Sequence, residues 1–160
     1  MVDCAARSMS TEEDDIGYTD KVKAFAALSE RLLSANRAAL IGALGASGIA
    51  KLVVRFDGQG GYGQIDAIEA HAADGSAMRV PVVDVGMQEA VFDGLAIAVE
   101  PRSLRGSVEI VSYTLLEQLH RTWSAGAGAH GDLTFIVASR SIMLRYNKRV
   151  LTSIRITQWF

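Results

Sequence analysis

Between Ala50 and Asp57 apolar and polar residues alternate: Ala50, Leu52, Val54 and Phe56 fall on one side, Lys51, Val53, Arg55 and Asp57 on the other. Successive side chains of a strand point to opposite faces, so the segment reads as a strand with one dry face and one wet one. A strand of that kind needs neighbours in a sheet and a second layer over its dry face. Two stripes of helical period can supply the cover. The first runs from a cap at Thr19 or Asp20 through Val22, Phe25, Leu28, Leu32, Leu33, Leu40 and Leu44, and Gly42, Gly45 and Gly48 weaken and end it. The second starts from a cap at Ser107 and carries Val108, Val111, Leu115, Leu119 and Trp123.

The remaining segments supply the rest of the sheet. Gln64–Ala73 fits either a helix or a strand, and Asp74-Gly75 is a hairpin signal ahead of Met78–Val83, where Pro81 marks a sheet edge or a strand end. Met87, Ala90, Val91 and Leu95 suggest a short helix running towards Pro101. Three alternating segments follow the glycines at 126, 128 and 131: Leu133, Phe135 and Val137; then Ile142, Leu144 and Tyr146; then Val150, Thr152, Ile154 and Ile156. Tight turns at Ser139-Arg140 and Asn147-Lys148 would join them. The expected architecture is an α+β two-layer sandwich: an antiparallel or mixed sheet of about six strands, with two or three helices on one face.

The chain of 160 residues suits one domain that buries roughly 70% of the surface of its unfolded chain. No apolar run approaches the ~20 residues of a spanning helix, and the acidic start is unlike a secretory signal, so a cytoplasmic chain with no membrane partner is expected. Cys4 has no second cysteine to pair with, no Cys/His spacing resembles a zinc site, and no metal or cofactor is expected.

The formal net charge of −2 is unevenly spread. Residues 1–20 hold six acids against Arg7, whereas beyond Asp132 there is no acid and five cations: Arg140, Arg145, Lys148, Arg149 and Arg155. Residues 1–18 therefore read as a disordered acidic arm, and residues 19–160 as the single α+β domain.

The segment Gly58-Gln59-Gly60-Gly61-Tyr62-Gly63 matches G-x-G-x-x-G after a strand. Dinucleotide binding would require a helix N-terminus aimed at a diphosphate, and Asp57 puts a negative charge where the diphosphate would lie. A calcium loop would require a bidentate acid at its twelfth position, where this sequence has none. Asp57, Gly58, Gly60, Gly61 and Gly63 are therefore read first as a hairpin loop that needs positive φ.

Phe56-Asp57-Gly58-Gln59-Gly60-Gly61-Tyr62-Gly63-Gln64-Ile65 resembles the F-x-G-S-G-D-S-G-Q-I hairpin of an uncharacterised bacterial domain family. A second stretch is similar to the same family: Leu115-Leu116-Glu117 with His120 and Trp123, then Gly128, Gly131, Phe135 and Tyr146-Asn147-Lys148-Arg149. The resemblance spans about residues 21–160 and implies a shared fold unit without an assigned activity. This chain has Gln59-Gly60-Gly61-Tyr62 where relatives have Ser-Gly-Asp-Ser, so no metal or catalytic role is carried over to the loop.

Three functional expectations follow. The first is a non-enzymatic module that binds a protein partner or its own copy, since the sequence has no nucleophile elbow, no metalloprotease helix and no Ser-x-x-Lys pair. The second is a nucleic-acid-associated protein that grips phosphates with Arg145, Lys148, Arg149 and Arg155 and stacks bases on the interleaved Tyr146 and Trp159. The third is a hydrolase built around His120 and Asp132, with Asp57 as a further acid.

Overall fold

The computed structural model describes residues 10–159. In chain order the elements are α1 (Ser10–Ala46), β1 (Lys51–Gln59), β2 (Tyr62–His71), β3 (Ala77–Met78), β4 (Asp84–Val91), β5 (Ala96–Ser103), α2 (Leu104–Leu119), β6 (Ala129–Ile136) and β7 (Ser141–Lys148). The fold is α+β. An antiparallel five-stranded sheet has the order β3-β2-β1-β6-β7, and β4 and β5 make a separate antiparallel pair. The alternating segment that begins at Ala50 thus becomes the central strand, paired on both sides.

The dry face of β1 is as expected. Leu52, Val54 and Phe56 are buried with Leu133 and Phe135 of β6 against Leu40 and Leu44 of α1 and Val108, Val111 and Leu116 of α2. Gln64–Ala73, open between helix and strand in the sequence, falls mostly in β2. The β1–β2 register slips between Arg55 and Phe56, which pair with Ala67 and Ile65 and leave Asp66 as a bulge. There the Ile65 N–H donates to the Tyr113 hydroxyl on α2, 3.1 Å away, which ties the sheet to its covering helix. The Asp74-Gly75 turn forms as its sequence demands, with Gly75 at φ +83°.

Beyond the start of α1, taken up below, four expectations need correction. Met87 to Leu95 is not one helix: it is the end of β4 and a single 3-10 turn, Asp93–Leu95, that leads into β5. Val85 and Met87 alternate into the core while Gly86 stays exposed, a period of two that the spaced apolar residues imitated as a helical stripe. The cap of α2 is Ser103, whose Oγ accepts from the Gly106 N–H, whereas Ser107 lies buried inside the helix and donates to the Ser103 carbonyl. Among the described residues the main sheet has five strands, because residues 150–159 join none of them and are exposed throughout. Finally, Asn147 and Lys148 are not a turn but the last rungs of β7, opposite His130 and Ala129.

α1 begins at Ser10, ahead of the expected cap at Thr19 or Asp20. The start of the acidic arm expected over residues 1–18 lies outside the described residues. Further along α1, the buried Asn36 faces the hairpin. Its amide donates to the Gln88 carbonyl at 2.9 Å and its oxygen accepts the Gln88 N–H at 2.7 Å. One side chain thus satisfies both backbone groups of a strand residue, as a neighbouring strand would.

Candidate functional site

The two sequence stretches that carry the family resemblance meet at one end of the main sheet. The β1–β2 loop closes with Gly60 and Gly61 at φ +63° and +84°, and their N–H groups donate to the Gly126 and Ser124 carbonyls. Gly58 and Gly63 lie flat against the Trp123 ring. A Cβ on Gly58 would come within 2.8 Å of that ring, and one on Gly63 would overlap it. Gly128 approaches the Gly58 carbonyl so closely that no side chain fits there. These glycines let the loop seat on an aromatic plate.

Beneath the loop, Phe56 meets Trp123 edge-on at 5.8 Å and stacks with Tyr146 at 6.2 Å between centroids. His120, the C-cap of α2, lies flat on Tyr146 with centroids 3.7 Å apart and planes 10° apart. On the opposite face of the sheet, Arg149 donates to both oxygens of Asp57, at 2.9 and 3.0 Å, and to the Gly58 carbonyl at 3.1 Å. Its backbone N–H donates to the Gly128 carbonyl, which extends the β6–β7 ladder by one residue. A planar guanidinium is suited to this forked reach, which a lysine could not reproduce.

This geometry separates several of the candidate residues. Asp132 pairs with Arg145 at 3.4 Å and sits between buried Leu133 and Gly131, so strand alternation puts it on the wet face. His120 packs on Tyr146, whose neighbours Arg145 and Asn147 point the other way. The sheet therefore lies between His120 and Asp132. Asp57 shares the wet face with Asp132, but its carboxylate is engaged by Arg149. Among the described residues no group of three or more His, Cys, Asp or Glu side chains is placed to hold a metal ion. Of the basic candidates, Arg145 and Arg149 are ion-paired, Lys148 is exposed at the end of β7, and Arg155 and Trp159 lie on the exposed C-terminal segment.

That segment is the most unusual surface of the protein. Val150, Leu151, Ile154, Ile156 and Trp159 are 77–93% exposed. Elsewhere an open cleft of about 180 Å³ lies between α1, α2 and β4, lined by Leu32, Leu33, Asn36, Ala90, Ile110 and Thr114 among others. Sequence reasoning missed the roles of Tyr113 and Asn36, which depend on residues far away in the chain, and it placed Tyr146 in a strand and in the family motif without its stacking on His120.

Among the described residues no helix is long and apolar enough to cross a membrane. A family model, described as a family of unknown function (DUF6878), matches residues 32–160, and the chain belongs to that family. Comparison with curated proteins and with solved structures finds no match. The family's match takes in the glycine loop, the aromatic plate, the Arg149 fork and the C-terminal segment together.

Proposed function

Because that membership brings no activity with it, we propose that the protein is a binding module whose contact element for a protein partner is the C-terminal segment 150–159. The observation that carries this reading is the exposure of Val150, Leu151, Ile154, Ile156 and Trp159 on a stretch attached to a well-packed domain. Apolar side chains on this scale stay in water only at a cost, about 1.5–3 kcal/mol for each large one left unburied. A segment so composed gains most by lying against another protein surface. Trp159 and Arg155 belong to the residue types that anchor such contacts.

The nucleic-acid reading draws less support. Two of its four cations, Arg145 and Arg149, already face carboxylates, which leaves Lys148 and Arg155 for phosphates. Too few charges remain for a counterion-driven complex.

The test is a photo-crosslinking residue at position 159 of the full chain, activated in its native cell. The expected product is a protein adduct that disappears when Ile154 and Ile156 are both replaced by Lys. Adducts to nucleic acid alone, or no adduct, would overturn the reading.

A further inference from the structure

We infer that the partner is a second copy of this chain, and that residues 150–158 add as a sixth strand along the free edge of its β7, each copy lending its segment to the other. This rests on the binding reading above and specifies the partner.

The edge is present and unfinished. Among the described residues β7 ends the strand order, so one side of Ser141–Lys148 has no ladder partner there. Its core-side residues Ile142, Leu144 and Tyr146 pack against the core yet remain only half buried, so the apolar layer stops short at this strand. The segment has the matching period. Val150, Thr152, Ile154 and Ile156 form one mostly apolar row, and Ser153, Arg155 and Thr157 form a polar row with Leu151. Laid beside β7, the first row continues the half-buried stripe and the second continues the wet face of Met143, Arg145 and Asn147.

Length and backbone chemistry agree. At about 3.3 Å per residue, residues 150–158 reach roughly 30 Å, enough to follow the whole of β7. Neither proline of the chain, Pro81 nor Pro101, lies in the segment or in β7, so every residue there keeps its N–H for pairing. Arg155 is the one charged residue of the segment, and Arg145 on β7 is already offset by Asp132, so like-charge repulsion is small.

The hairpin expected at Asn147-Lys148, which would pair the segment with its own β7, does not form. Asn147 and Lys148 are ladder rungs, and Arg149 is fastened to Gly128, Asp57 and Gly58 on the side away from the free edge. A second copy offers the same edge without that constraint, which is the logic of a swapped element. A stable interface needs ~800 Å² per partner, and exchange in both directions doubles what one segment would bury.

Sedimentation of the full chain across a dilution series tests the proposal. The expected mass is twice that of one chain, falling to one chain on dilution. A chain ending at Arg149, and separately the full chain with Ile154→Lys and Ile156→Lys, should remain at one chain mass with unchanged circular dichroism. In a Cys4→Ser background, a tagged chain with Ser153→Cys mixed with an untagged chain with Met143→Cys should form a disulfide between chains. A dimer that survives both arm variants overturns the proposal. So does a disulfide that forms only within a single chain carrying both cysteines, since the segment then folds back on its own β7. A chain that stays monomeric but still crosslinks through position 159 to a different protein overturns self-pairing and leaves the binding reading standing. A monomer that crosslinks to no protein overturns both.

Discussion

Glycines in the β1–β2 loop are required for two different reasons, and substitution separates them. Gly60 stands in open space at φ +63°, so Gly60→Ala costs only backbone strain, about 1–2 kcal/mol. Gly63 has no such φ but lies on the Trp123 ring, so Gly63→Ala forces the ring or the loop to move, at about 1–3 kcal/mol. Chemical denaturation of the single and double variants distinguishes them. Gly63→Ala should be partly rescued by Trp123→Leu, whereas Gly60→Ala and Trp123→Leu should add. Additivity in both pairs would mean that the loop is not seated on the ring. The sequence showed that this loop needed glycines but not that tryptophan was the reason for one of them. A second residue-scale effect lies at the next turn. The Ser76 hydroxyl and then the Ser76 N–H donate to Asp74 and hold its carboxyl below the usual range. Because the folded value is the lower one, the turn's contribution is complete above the ordinary carboxylate range and fades as pH falls through the lowered value. An NMR titration should give Asp74 a midpoint that rises on Ser76→Ala. An unchanged midpoint would show that these bonds are absent in solution.

At the scale of elements, Asn36 is the point at which α1 holds the β4–β5 hairpin. Asn36→Leu leaves the Gln88 N–H and carbonyl without partners, and at about 1–3 kcal/mol for each buried group it should loosen the hairpin first. Hydrogen exchange should accelerate across residues 84–103 while β1 and β6 stay protected. Uniform acceleration would instead make the hairpin part of one cooperative unit. Local pattern was a good guide where an element has a single dry face, as in β1, β6 and β7. It failed at β4, where Met87, Ala90, Val91 and Leu95 fall at helical intervals although the residues the strand buries, Val85 and Met87, are two apart. The Asp93-Gly94 pair, with Gly94 at φ +79°, was the turn signal that could have corrected it. The last segment shows a different limit. Its residues alternate as a strand's do, yet it joins no strand among the described residues, since the turn expected at Asn147-Lys148 is taken up by the β7 ladder and Arg149 is tied to Asp57, 92 positions earlier in the chain. Of the candidate site residues, those of the loop could be placed from sequence. The distance between His120 and Asp132 could not, because it depends on which face of the sheet each side chain takes.

For the whole molecule, residues 150–159 are exposed throughout, so cutting the chain after Arg149 should move the midpoint of thermal unfolding by no more than about 3 °C when measured dilute. Raising the concentration should lift the midpoint of the full chain and leave that of the shortened one unchanged, since only association links stability to concentration. A large loss in dilute solution would show that the segment packs on its own domain. The seat of the glycine loop has a bearing on inheritance as well. Gly58, Gly63, Trp123 and Gly128 occupy one small volume, and Asp57 with Arg149 closes it from the other face. A chance enlargement at position 63 is harmful until position 123 shrinks, and loss of the carboxylate at 57 removes the reason for a guanidinium at 149. Lineages of this family should therefore exchange these residues in concert, with position 63 paired to 123 and position 57 to 149. An alignment in which they drift independently would show that most members have abandoned this joint.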